Sequence, residues 1–93
     1  MDYKLEFNAE KNLLLKEIRG VCFEDVIKEI EKGRILDVLR NKNYLNQRIL
    51  VIKVKNYIYA VPYVVDQKRK NIFLKTVYPS RALTKKYLKK GKT

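Results

Sequence analysis

Arg48-Ile49-Leu50-Val51-Ile52-Lys53-Val54-Lys55-Asn56-Tyr57-Ile58-Tyr59-Ala60-Val61-Pro62-Tyr63-Val64-Val65 is a dense run of β-branched and aromatic residues with one break of turn type. Such residues suit a pleated, half-buried surface, and Asn56 suits a tight turn, so the run predicts two antiparallel strands, 48–55 and 57–65. A third strand, 72–78, follows the basic loop Asp66-Gln67-Lys68-Arg69-Lys70-Asn71 and completes a meander. Side chains alternate along a strand. Leu50, Ile52 and Val54 therefore share one face, Lys53 and Lys55 mark the other, and Tyr57, Tyr59, Val61, Tyr63 and Val65 fall together. Pro62 cannot donate to a ladder and implies an edge position or a bulge.

Upstream, Lys4-Leu5-Glu6-Phe7 alternates as a short strand should, and Asn8 offers an N-cap for a helix through Ile18 that Gly20 can end. Phe23, Val26, Ile27 and Ile30 then make one helical stripe closed by Gly33. Cys22 stands where Ser or Thr would cap this second helix, with Asp25 three residues on as in a capping box. Residues 34–39 fit either a strand or a connection, and Asn41-Lys42-Asn43-Tyr44-Leu45-Asn46-Gln47 is a polar loop. Downstream, Ser80 caps a last helix from Arg81 to about residue 90, with Leu83 and Tyr87 one turn apart and Gly91 after it. The expected fold is α+β: a three-stranded antiparallel meander with a short N-terminal strand, two N-terminal helices packed on one face, and a C-terminal helix.

Ninety-three residues suffice for one core and hardly for two, so the chain reads as a single domain. No stretch approaches the roughly 20 apolar residues of a membrane span, and Met1-Asp2-Tyr3-Lys4 does not begin a signal peptide, so a cytoplasmic location and no membrane partner are expected. With one cysteine and no histidine, the usual zinc sites and catalytic triads cannot be assembled, and neither metal nor cofactor is expected. A weak cap is the simpler role for Cys22, since no histidine can activate its thiol.

The formal charge of +12 is unevenly placed. Residues 1–33 carry six basic and eight acidic side chains, residues 34–65 six and one, and residues 66–93 ten and one. Interspersed charge would serve solubility better, so a basic back half points to a polyanion. Two helices on one face of a sheet leave the other face open. Tyr57, Tyr59, Tyr63 and Tyr78 among Lys53, Lys55 and Lys75, with Arg48 nearby and the loop cations Lys68, Arg69 and Lys70, would supply that face with stacking surfaces and phosphate contacts for single-stranded RNA. Tyrosine is also a good strand residue, and the same rings could equally belong to the core.

Phe7-Asn8-Ala9-Glu10-Lys11-Asn12, Gly20-Val21-Cys22-Phe23-Glu24-Asp25-Val26 and Tyr78-Pro79-Ser80-Arg81-Ala82 ahead of Tyr87 resemble, in order and over nearly the whole chain, the BrnT toxin family of bacterial type II toxin–antitoxin systems. The chain departs from that pattern at Asn8 (for Asp), Ala9 (for Pro), Cys22 (for Ser), Lys85 (for an acidic residue) and in the Tyr-Pro before Ser80. The resemblance implies a RelE-like ribonuclease fold and cleavage of mRNA, in some cases on the ribosome, to block translation. It also implies a cognate DNA-binding antitoxin as partner, with operator DNA reached only through that antitoxin.

RNA carries its own nucleophile, the 2′-hydroxyl. An enzyme need only align it, move two protons and stabilise charge on the phosphorane. Arg81, which matches the family arginine, would stand at the first turn of a helix capped by Ser80, where free N–H groups favour a phosphate. Lys75, Tyr78 and Lys53 are the further catalytic candidates, and Arg48 is a candidate phosphate contact. Two other readings share the basic surface: a non-catalytic RNA-binding module, and a protein that docks an acidic partner.

Overall fold

In the computed structural model, which describes residues 3–88, Asn8 accepts from the Lys11 amide at 2.9 Å and starts helix α1 (Ala9–Arg19), after strand β1 (Lys4–Phe7). Gly20 ends α1 at φ +68°, a left-handed value that costs glycine little. Helix α2 (Phe23–Glu31) begins at Cys22, whose backbone N–H and thiol both donate to Asp25, at 3.0 and 3.4 Å. The thiol is buried, and burial pushes its pKa up, as suits a cap.

Strands β2 (Asp37–Arg40), β3 (Arg48–Val54), β4 (Tyr57–Asp66), β5 (Asn71–Leu74) and β6 (Tyr78–Pro79) precede helix α3 (Arg81–Leu88). The six strands form one sheet, ordered β1-β5-β4-β3-β2, with β6 on β4 beside β5. The sheet corrects the expected meander in three ways. It is mixed, because β1 lies parallel to β5; residues 37–40 form an edge strand; and the segment 72–78 is broken into β5 and β6. The β3–β4 turn matches expectation: Lys55 (φ 52°) and Asn56 (φ 65°) both take the left-handed values of a two-residue hairpin. The final helix is described to Leu88, and the expected continuation to residue 90, with Gly91, lies outside the described residues.

Leu15 of α1 and Phe23 and Val26 of α2 pack on Leu50, Ile52, Val54, Tyr59, Val61 and Leu74 of the sheet. Phe23 is fully buried and stacks on Phe7, ring centroids 4.9 Å apart. Asn12, the buried polar residue beneath α2, accepts from the Phe23 amide at 2.7 Å and donates to Glu24 at 2.9 Å, joining the two helices. The opposite face, expected from the sequence to be open, is open only in part, because α3 crosses it. Ser80 donates its amide to Ile58 in β4, and the Tyr87 hydroxyl donates to Asp37 in β2 at 2.6 Å. Val51 and Ile58, both fully buried, and Ala60 lie on that covered half. No helix among the described residues is long and apolar enough to cross a membrane.

Candidate nucleic-acid interface

Pro62 explains where the uncovered half of that face becomes a site. In β4 the N–H and C=O of residues 58, 60, 62 and 64 point away from β3, toward the edge shared by β5 and β6. Pro62 offers a carbonyl there, which accepts from the Lys75 amide at 2.8 Å, but no N–H. The neighbouring chain leaves the ladder at that point and returns only at Tyr78, paired with Ala60. Pro62 is thus in a central strand, opposite an interruption in its neighbour. Val77 anchors the interruption in the core, and Arg19 of α1 donates to its carbonyl at 2.6 Å.

Across the sheet from this bulged connection stands the loop 41–47, which joins β2 to β3. It is fastened by its own hydrogen bonds: Asn41 accepts from the Asn43 amide (3.0 Å) and donates to Gln47 (3.2 Å), and the Gln47 amide donates to the Tyr44 carbonyl (2.9 Å). Between the two walls lies a cleft of about 480 Å³ whose floor is Ile49 and Pro62, a cross-strand pair. Lys42 brings positive charge from one wall and Lys75 from the other; Arg40 also lines the cleft, but as the cross-strand partner of Arg48 it is turned by strand alternation to the α1/α2 face. Tyr44, 60% exposed, and Tyr78, 36% exposed, supply an aromatic ring on each side. No carboxylate is among the described residues that line it. The volume lies in the range of about 300–1,000 Å³ common for ligand sites.

Of the residues singled out in the sequence, Lys75 and Tyr78 meet in this cleft. The Lys75 ammonium also stands 5.4 Å from the centre of the Phe73 ring. Arg81 is exposed at the first turn of α3 and does not line the cleft: Tyr78 pairs with Ala60 and the Ser80 amide bonds to Ile58, so the chain leads away from Pro62 before it reaches Arg81. The Ser80 hydroxyl is taken up as the N-cap of α3, accepting from Leu83 at 3.1 Å. Arg48 opens β3 beside the loop, but strand alternation turns it to the α1/α2 face, where its charge acts against the burial that pushes Tyr63 up.

The placement of Tyr57, Tyr59 and Tyr63 on an open face is corrected. Tyr59 belongs to the core and the other two pack against it, because odd positions of β4 face α1 and α2. Lys53 and Lys55 stand at the opposite end of the sheet. Lys53 lines a separate groove with Arg34 and Glu29, and the Lys55 ammonium donates to the Gly20 carbonyl at 2.6 Å, fastening the end of α1. Lys68, Arg69 and Lys70 form the tip of the β4–β5 hairpin, beyond the cleft on the same end, where Arg69 pairs with Asp66 at 3.9 Å. Sequence reasoning missed Lys42, Tyr44 and Gln47. The signal available was the alternation of amides with a cation and an aromatic in 41–47, which carries no periodicity to set its orientation.

No protein-family model, curated protein or solved structure matches the chain.

Proposed function

We propose that this protein is an RNA-cleaving toxin of the type II toxin–antitoxin kind, with the cleft between the loop 41–47 and residues 75–78 as its RNA site. The observation that carries this reading is the cleft's composition: the cations Lys42 and Lys75 and two exposed tyrosines over an apolar floor, with no lining carboxylate among the described residues. Single-stranded RNA asks for this combination, since phosphates need cations and unpaired bases need flat surfaces. The acidic side chains gather elsewhere, eight of the ten falling in residues 1–33, which supply β1, α1 and α2.

In this reading Lys75 and Tyr78 touch the scissile phosphate: as the substrate's own 2′-hydroxyl bonds to phosphorus and the bond from phosphorus to the 5′-oxygen breaks, one takes the 2′-hydroxyl proton and the other gives a proton to the departing 5′-oxygen, leaving a 2′,3′-cyclic phosphate. Arg81, at the first turn of α3, clamps a phosphate farther along the RNA strand. The order of strand, two helices, sheet and helix supports a RelE-like arrangement. A cognate antitoxin would neutralise the protein and carry any contact with operator DNA.

The test is induced expression of this chain alone beside its Arg81→Ala variant, following growth and total RNA. Arrest with broken RNA, relieved by the substitution, is expected. Unimpaired growth with intact RNA would overturn cleavage and leave binding alone.

A further inference from the structure

The functional reading leaves open what distinguishes one RNA segment from another, and the loop 41–47 has the construction for that task. Its backbone and side chains are tied to one another through Asn41, Asn43, Tyr44 and Gln47, so its exposed groups are held in place before any ligand arrives. Tyr44 presents a ring that packing does not require, at 60% exposure. The Gln47 side-chain oxygen accepts from Asn41, which sets the amide's orientation and presents its NH₂ group as a donor. The charged groups of the cleft, Lys42 and Lys75, are donors only.

A wall whose charged groups are all donors, with no carboxylate among its described lining residues, discriminates between bases. Guanine and uracil present carbonyl oxygens at the positions where adenine and cytosine present amino groups, and an exocyclic amino group is read best by a carboxylate, which the cleft lining lacks. We infer that the loop 41–47 is the base-reading wall of the cleft: Tyr44 stacks on an unpaired base, and the donors at Gln47 and its neighbouring cations select one with a carbonyl edge, uracil or guanine, over cytosine or adenine. This inference rests on RNA binding in the cleft, but its test separates the two.

The experiment is binding of labelled oligo(U) and oligo(C) of equal length to the full chain, by fluorescence anisotropy at fixed salt. The two ligands share charge and ring size and differ at the O4/N4 position and the protonation of the adjoining N3. Oligo(U) is expected to bind about tenfold more tightly, the effect of one good base contact at about 1.4 kcal/mol per tenfold. Tyr44→Leu, at an exposed position that should leave folding intact, is expected to weaken oligo(U) by about 5- to 100-fold, as loss of one stacked base would. Tyr44→Phe should keep most of that affinity. Gln47→Glu, which adds the missing carboxylate, should move the ratio toward oligo(C) even as added negative charge weakens both. Equal affinity for the two ligands, or no loss in Tyr44→Leu, would overturn the inference while leaving RNA binding in place. No binding of either oligomer would instead remove the functional reading itself.

Discussion

Tyr59 and Tyr78 sit almost side by side in the sheet, through the pairs Tyr59↔Pro79 and Ala60↔Tyr78, yet one ring is 9% exposed among the helices and the other 36% exposed beside a cleft. The difference lies in what covers each face. Helices α1 and α2 close one face over a continuous apolar cluster, whereas α3 crosses only part of the other. On the covered face a tyrosine is structural material; on the half-covered face the same residue type is available to a ligand. The two regions therefore divide the labour of the fold, one supplying stability and the other presenting the cleft.

The largest effect that could break this division is on folding. Phe23→Ala removes a fully buried ring stacked on Phe7 and should cost about 3–5 kcal/mol in urea unfolding, while Tyr44→Leu in the cleft should stay within about 0.5 kcal/mol. Comparable losses from both would mean that the cleft wall is part of the core.

A smaller effect sharpens the comparison through pH. Asn12, donating to Glu24, holds the Glu24 carboxyl at about 2 against an ordinary 4.5. Because the folded pKa is depressed, this contribution to stability is fully present above about pH 4.5 and is lost as pH falls toward 2. Asn12→Ala or Glu24→Gln should flatten the acid limb of the stability curve in that window, measured by thermal unfolding between pH 2 and 6. A limb unchanged in both variants would show that the α1–α2 joint does not depend on this contact.

The parts of the fold written in local chemistry were legible. Asn8, Gly20 and Gly33 mark helix ends, Asn56 marks a hairpin, and the stripe from Phe23 to Ile30 marks a buried helix side. The parallel pairing of β1 with β5 had no local signal, since it joins segments far apart in sequence. Strand alternation grouped Tyr57, Tyr59 and Tyr63 correctly, but alternation does not tell which face the helices will take. Leu83 and Tyr87 showed that α3 had a side to bury without showing that it would bury it on Val51 and Ile58. Pro62 announced an irregularity whose consequence, the bulge presenting Lys75 and Tyr78, needed the neighbouring strands to be seen.

The measurement closest to the central claim is a titration of the isotope-labelled chain with oligo(U), followed by the backbone amide signals of each residue. The account expects the largest shifts in the loop 41–47 and at residues 75–78, with α2 unmoved. Shifts centred on the groove of Lys53 and Arg34, or confined to the hairpin tip at residues 66–70, would contradict it.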